Sequence, residues 1–576
     1  MSSSCVTLEN LLSFLFPSRF TSCQSPESPR ILLDDVVIRE FNAFLWVSLI
    51  TITALLIRKV FTILRLWNKA NRIPGPPCSS FYGHYKIISR ENLTDVLSDS
   101  HQKFGSVVKL WLGPTQLLVS IKDPNLIKEM LFKAADKFPL TGKAFNLAFG
   151  RSSLFASSFD KVQKRRETLV TELNDRLLER ANVIPRNAME CIVGRIHSSM
   201  AKGSVDCMKV SQHMAFTILG TALFGNAFLD WSKANVYEEL LMMIAKDACF
   251  WASYNVTPFW KRGFWKYQRL CTKLKSLTQD IVEQCRKNYK LFHCLDQDIC
   301  SETSKKGKHV LYVASSFSDV VTPDKSFCPE SKCYTDEREE PSGNIMGMMF
   351  HGCLTTAGLI NNIMTRLVTH PEIQDQIYSE ITMAEKDSMK QVEHNVDQML
   401  LLLATVYESA RLLPAGPLLQ RCSLKHDLNL ENGVTIPAGA VLVVPVQLVQ
   451  MDDSSWGSDA REFNPYRFLS KTGKRCDLMH RATLSGAPKE AANLGDSSLV
   501  LNEPNDNAAF LPFGSGVRAC VGQKFVIQGV AALFATLLKH YEIKLQPEQN
   551  NQKLKKNNAV FQLLPSTDIV FARRNS

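Results

Sequence analysis

Residues Phe41 to Ile57, FNAFLWVSLITITALLI, run for 17 positions without a charged side chain. That reaches the lower limit of the roughly 17–25 residues that cross the hydrocarbon of a bilayer, and VFTIL prolongs the run past Arg58 and Lys59. Asp34, Asp35 and Glu40 precede it, whereas Arg58, Lys59, Arg65, Lys69 and Arg72 follow. Basic flanks stay on the cytosolic side, so the asymmetry predicts a transmembrane signal-anchor over 41–66 with the bulk of the chain in the cytosol. A buried core helix is the bland alternative, and it fits poorly with a segment that stands outside the domain that follows. Next comes NRIPGPP, in which Pro74, Gly75, Pro76 and Pro77 cannot continue a helix. Residues 67–80 therefore read as a stiff hinge. Residues 1–40 are Ser-rich and read as an irregular extension; no basic start precedes an apolar run, so a cleaved signal is not expected. The serines would suit a plastid transit peptide, a minor alternative that Glu9, Glu27 and the scarcity of arginine weaken.

The remainder, 81–576, is long enough to enclose one large core. Its hydrophobic fraction of 45% and charged fraction of 21% are those of a globular protein. The net charge of +11 is spread along the chain without interleaved aromatic residues, which argues against nucleic acid as a partner. It suits a basic docking face for an acidic protein or anionic lipid. Sixteen cysteines are dispersed with no Cys-x-x-Cys pair, so most read as small buried hydrophobes in a reducing compartment. Amphipathic helix dominates to about residue 290, interrupted by a strand pair in VVKLWLG and QLLVSI; GVTIPAGAVLVVPV is a later strand-rich patch. Two polar tracts, about 295–343 and 470–508, read as surface inserts. The fold class expected is mainly α with small β-sheets.

The chemistry concentrates in FGSGVRACVG, which satisfies Phe-x-x-Gly-x-Arg-x-Cys-x-Gly at Phe513, Gly516, Arg518, Cys520 and Gly522. A thiolate that ligates a metal must come from a tight loop, and glycines permit close backbone approach there. The helical pattern after Cys520 would put its charge near a helix N-terminus. Arg518 is placed to pair with a carboxylate of a cofactor. This segment resembles the haem-binding loop of the cytochrome P-450 superfamily, in which the cysteine is the proximal ligand to haem iron and its electron push favours O–O cleavage. The resemblance extends from about residue 71 to 572 and, with the anchor and proline hinge, points to the microsomal type. It implies a cytochrome P-450 fold, a single large haem domain behind an N-terminal anchor, with Cys520 as the metal ligand.

Three further motifs follow the order of that family. Glu408 and Arg411 in ESAR lie one helical turn apart on one face. Arg467 in NPYRF completes, in the family, a buried Glu-Arg-Arg network, whose carboxylate needs such partners to offset its desolvation. DKVQKRR stands where the family often has Trp-x-x-x-Arg, with Lys161 in the tryptophan position and Arg165 as the candidate for a haem propionate. Lys164 and Arg166 are candidates for the basic face that receives an electron donor, or simply a solvated helix face.

HGCLTT, 351–356, aligns with the family's oxygen-side helix, and Pro371 follows Thr355 at the family's separation of sixteen residues. Thr355 keeps the hydroxyl that can bond the carbonyl four residues back and open the helix. Leu354 stands where the family has an acid, and His351 where it has a small residue. His351 shares a face with Thr355 and titrates near neutrality, so it is a candidate to carry the proton the acid would relay; packing aside against backbone is its alternative. By analogy with the family, the substrate pocket takes Leu413, Ala415, Pro417, Leu418, Phe561 and Leu563, apolar residues that suit a lipophilic small molecule such as a terpenoid, sterol or fatty-acid-like compound.

The resemblance thus implies a monooxygenase carrying haem b. NADPH supplies electrons indirectly, through NADPH-cytochrome P-450 reductase, with cytochrome b5 a second candidate donor. No convincing Gly-x-Gly-x-x-Gly phosphate loop occurs in the chain itself. The implied location is the endoplasmic reticulum membrane, with lipid as a partner of the anchor. Two rivals are a non-oxidising isomerase or dehydratase acting on a hydroperoxide, which would need no acid at 354, and a haem-binding sensor without turnover.

Overall fold

The computed structural model describes residues 29–78, 82–84, 93–135, 147–148, 163, 166–167, 186–200, 205–252, 258–297, 339–388, 396–414, 416, 418–423, 426–471, 499–546 and 568–574. The chain divides into two compact units, Met1–Asn68 and Lys69–Ser576. Helix α1 (Pro29–Ala70) begins before the apolar run, so residues 29–40, expected to be irregular, are helical. Pro29 sits at its first position, where its missing N–H costs nothing, and neither Gly nor Pro recurs before residue 71. Its segment Val37–Ala70 has a mean hydropathy of 1.9 over its most apolar stretch, none of which is buried. Phe41, Trp46, Ile50 and Phe61 all stand exposed along it. Those 34 residues extend about 50 Å at ~1.5 Å per residue, more than the ~30 Å hydrocarbon layer. A core helix would bury these side chains; this one is a candidate membrane anchor.

In the second unit the hinge segment is bound to strand β1 (Val107–Trp111): Lys109 N donates to Pro74 O at 2.8 Å and Lys109 Nζ to Ala70 O at 2.8 Å. Gly75 is needed there, because a Cβ would come within 2.5 Å of the Lys109 carbonyl. The predicted strand pair is present, with β1 antiparallel to β2 (Leu117–Ile121) and Val107 opposite Ile121. β2 then pairs in parallel with a strand from far along the chain, Val441–Pro445, which in turn pairs with Leu418–Cys422, giving a four-stranded sheet. All five residues of Val441–Pro445 are buried, as a strand covered on both faces requires.

Helices supply most of the rest, and among the described residues ten of them after α1 have ten or more residues. They are α2 (Leu93–Phe104), α3 (Pro124–Lys133), α4 (Arg186–Met200), α5 (Cys207–Phe224), α6 (Ala234–Ala252), α7 (Arg262–Gln297), α8 (Glu339–Thr369) and α9 (Pro371–Ser388). α10 (Leu400–Leu412) and α11 (Gln523–His540) complete the set. The tract read as a loop over 295–343 is bounded by α7 and α8, whose ends reach Gln297 and Glu339. The tract over 470–508 springs from a ribbon: Leu469–Lys471 pairs antiparallel with Leu499–Leu501, Lys471 opposite Leu499. Asn502 N then returns to Phe468 O at 2.8 Å. The second insert therefore leaves and re-enters at one point, and the core meets the cysteine loop directly after it.

Two hydrophobic cores meet along α8. Its first half places Ile345, Met346, Met349, Phe350 and Cys353 among aromatic residues of α5, α6 and α7. Its second half places Ala357, Ile360, Ile363, Met364 and Leu367 with α4, α9, α10 and α11. The changeover falls at residues 351–356. There His351, Gly352, Leu354 and Thr355 are only partly buried. Gly352 permits α5 to lie close, since a Cβ would meet the Leu219 side chain at 2.9 Å.

Candidate functional site

The cysteine loop is built by turns and by packing on α3. Gly514 N donates to Leu511 O, Ala519 N to Gly516 O at 3.0 Å, and Cys520 N to Phe513 O at 2.9 Å, closing the chain around the thiol. Gly514 and Gly516 have φ of +71° and +70°, a region that side chains disfavour. At Gly516 a Cβ would also stand 2.5 Å from the Leu131 carbonyl at the end of α3. Gly522 differs: its φ is −103° and the space beside it is open, so its freedom is not called upon. Phe513 packs on Phe510, ring centroids 6.5 Å apart. Cys520 itself is exposed, two residues before the cap of α11.

Arginine surrounds this loop. Arg518, 5% exposed, donates from Nε to Ala135 O at 3.0 Å. Arg166 donates from Nη2 to Ala519 O at 2.8 Å, which places its guanidinium beside the residue preceding Cys520. The sequence reading put Arg165 in this role and Arg166 on an outer face; the structure brings Arg166 in, half-buried, while Arg165 lies outside the described residues. Arg421 joins them from the four-stranded sheet. It is 4% exposed, and its Nε has no partner among the described residues. Burial pushes its guanidinium down to about 10, and the like charges of Arg518 and Arg166 push the same way. Gathering three such cations in a desolvated place is costly unless an anion joins them. With the exposed soft sulfur of Cys520, this donor set fits an iron porphyrin bearing two carboxylates: Cys520 would hold the metal, and Arg166, Arg421 and Arg518 the propionates.

The charge network lies behind the loop and is more extensive than its three expected members. Glu408 accepts Arg411 Nε at 2.7 Å and Nη2 at 2.8 Å, Arg467 Nε at 3.0 Å and the Asn464 amide at 3.0 Å. The side chains of Glu408 and Arg411 are wholly buried. Arg411 Nη1 donates to the carbonyls of Gln450 and Ala460, and its guanidinium stacks 4.9 Å from the Trp456 ring. Arg467 continues outward to Asp459, 3.0 Å from Nη2 to Oδ2. Burial would raise the Asp459 carboxyl, but Asn464 and Arg467 outweigh it and hold it below its ordinary value. Gln450 ties this network to the cysteine loop, donating to Arg411 O at 2.6 Å and accepting from Leu511 N at 2.9 Å. Glu380 of α9 caps the start of α10, accepting the amides of Leu401 at 2.9 Å and Leu402 at 3.0 Å. Asp459, Gln450, Glu380 and Arg421 were missed, because none sits in a local pattern that distinguishes it.

On α8, Thr355 Oγ1 donates to His351 O at 2.7 Å, the bond expected of it. The same carbonyl that His351 contributes is thus the one Thr355 occupies. The His351 ring stands edge-on to Phe350, centroids 5.9 Å apart. Leu354 packs on the apolar cluster that includes Phe525, and Val521, the residue after Cys520, packs on the same cluster. An ionised acid at that position would face apolar surface. Of the pocket candidates, Leu413 and Leu418 are partly buried at the end of α10 and in the following strand. Ala415, Pro417, Phe561 and Leu563 lie outside the described residues.

Residues 73–571 match the family model described as "Cytochrome P450". Relatives include human "Cytochrome P450 4X1", 22% identical over 84% of this chain and 87% of that protein. "Cytochrome P450 78A5" of Arabidopsis thaliana is 24% identical over 90% of this chain and 93% of its own. "11-oxo-beta-amyrin 30-oxidase" of Glycyrrhiza uralensis is 25% identical over 78% and 79%.

Proposed function

Because the chain belongs to the cytochrome P450 family, a family of haem-thiolate monooxygenases acting on lipophilic molecules, we propose that it hydroxylates or otherwise oxidises a terpenoid, sterol or fatty-acid-like substrate. Electrons come from NADPH through a separate flavoprotein reductase, with cytochrome b5 as an auxiliary donor. The catalytic unit works on the cytosolic face of the endoplasmic reticulum, held by α1.

The observation that carries the reading is the convergence of Arg166, Arg421 and Arg518 on the loop of Cys520. The haem, when bound, supplies oxygen activation. The protein's own residues do the rest. Cys520 offers its sulfur from a loop that two left-handed glycines and the Leu131 carbonyl fix. Thr355 anchors to the His351 carbonyl and keeps the changeover of α8 open on one side. His351, on the same face, carries the exchangeable proton that Leu354 cannot. Leu413 and Leu418 begin an apolar wall that excludes water from the substrate.

Reconstitution with a purified reductase tests this. NADPH consumption that rises with a lipophilic substrate and matches oxygenated product is expected. Conversion of a hydroperoxide without NADPH would replace the proposal with the non-oxidising reading. His351→Ala should lower turnover roughly tenfold or more, as loss of a proton carrier does, and flatten its pH profile. Unchanged turnover and an unchanged Soret spectrum would remove His351 from the chemistry.

A further inference from the structure

Between α6 and α7 the chain points aromatic side chains outward. Lys261 N donates to Pro258 O at 3.0 Å, closing a turn whose two central residues are Phe259 and Trp260. Each is 60% exposed, at positions that polar residues and glycine usually take. Trp265, in the first turn of α7, is 53% exposed, and Phe250, near the end of α6, is 54% exposed. Phe132 and Met383 are as open to solvent, but neither has an exposed aromatic residue within a helical turn of it.

The projecting rings are built into the fold. Trp265 Nε1 donates to Phe259 O at 2.6 Å, which ties the turn to α7. The rings of Phe259 and Trp260 meet edge to face, centroids 5.1 Å apart. Phe250 stands edge-on to the buried Trp251, and Trp265 to the buried Phe264. Trp251 and Phe264 meet at 5.6 Å beneath them. Gly263 admits that contact, because a Cβ there would stand 3.2 Å from the Trp251 ring. A surface so preorganised loses little conformational freedom when it is covered. Its charge is one-sided as well. Between Asp247 and Asp280 the sequence has six basic residues and no acidic one. Lys261, Arg262, Lys266 and Arg269 among them are exposed.

We propose that this turn is a second membrane contact, in which Phe259, Trp260 and Trp265 enter the headgroup layer of a bilayer containing anionic lipid. Aromatic rings with one apolar and one polar end settle at that depth. Lysine and arginine beside them lay their stems along the apolar layer and their charges on the phosphates and carboxylates. Apolar area and charge then add, as they do for interfacial segments generally. A bilayer is also the partner the chain itself brings near. The candidate anchor α1 is covalently joined to the unit that carries the turn, which gives lipid a high effective concentration there. The inference does not depend on the reaction catalysed.

The test uses the full-length haem protein in vesicles of phosphatidylcholine, with and without ~30% phosphatidylserine to supply the anionic surface. A small fraction of the phosphatidylcholine carries a diazirine near the headgroup end of one acyl chain. After illumination, labelled peptides are mapped by mass spectrometry, with α1 as the internal positive control. Label at residues 259–265 should exceed that at Phe132 and Met383 and should rise with phosphatidylserine. Phe259→Ser combined with Trp260→Ser should lower it about tenfold, as the loss of two buried aromatic rings implies, and leave the label on α1 and the Soret spectrum unchanged. Lys261→Gln combined with Arg262→Gln should remove most of the rise with phosphatidylserine. Label confined to α1, with residues 259–265 no more labelled than Phe132 or Met383, overturns the proposal. An unlabelled turn that instead cross-links to a second copy of the chain assigns this face to self-association and overturns it too.

Discussion

Replacing Glu408 by Gln removes one negative charge from a place with no water to compensate. Within the network the carboxylates of Glu408 and Asp459 balance the guanidinium groups of Arg411 and Arg467. Glu408→Gln keeps the shape, but strips the charge from four hydrogen bonds and leaves Arg411, 0% exposed, with an unbalanced cation. Two unit charges ~4 Å apart at an effective dielectric of ~20 interact by about 4 kcal/mol, and breaking one side of a buried pair costs about 3–5 kcal/mol. Arg411 retains the carbonyls of Gln450 and Ala460, which also bind the cation, so about 3 kcal/mol is expected. The assay is the apparent urea midpoint of the haem protein, followed by far-ultraviolet circular dichroism and by Soret absorbance. Asp459→Asn is the control, because its side chain is 40% exposed and exposed pairs contribute under about 1 kcal/mol. Equal losses in the two variants would refute the assignment of the network's strength to the desolvated Glu408–Arg411 pair.

Gly516→Ala should cost about 2–4 kcal/mol and deplete bound haem, since φ of +70° adds strain to the collision with the Leu131 carbonyl; Gly522→Ala, in open space, should do neither. Haem content per protein after purification checks both. Replacing residues 472–498 with a short turn between Lys471 and Leu499 should leave the Soret spectrum intact and the midpoint unchanged or raised by up to ~2 kcal/mol, because the ribbon already closes that loop. For His213, the folded value of about 9 lies above the ordinary 6.5. Its stabilisation is therefore complete below pH 6.5 and lost as pH rises through 9, a decline of about 1–3 kcal/mol. Midpoints at pH 6 and pH 9.5 should differ less in His213→Gln than in the unaltered protein.

What the sequence made legible were features whose physics is local. A 17-residue uncharged run, a proline hinge and a Gly-Arg-Cys-Gly turn each impose their structure within a few residues. Glu408 and Arg411 announced a shared helix face by spacing alone, and Thr355 its bond to the carbonyl four residues back. The unread part is tertiary. Arg421 lies on a strand antiparallel to Val441–Pro445, and only the parallel pairing of that strand with β2, about three hundred positions away, joins it to the N-terminal part of the sheet. Glu380 caps a helix that starts beyond the end of its own. That Arg166 reaches the cysteine loop rather than an outer face is shown only by its packing on Ala519. Gly522 was credited with a conformational need that belongs to Gly514 and Gly516. The changeover between two cores at residues 351–356 explains why that stretch of α8 mixes polar and small residues.

The central claim is that Cys520 presents a thiolate to haem iron, in a cradle neutralised by Arg166, Arg421 and Arg518. The carbon-monoxide difference spectrum of the reduced, purified protein measures it most directly. The account predicts the red-shifted Soret band of a thiolate-ligated haem, lost in Cys520→Ala with the fold retained by circular dichroism. A band of the histidine-ligated type, or one that survives Cys520→Ala, would contradict it.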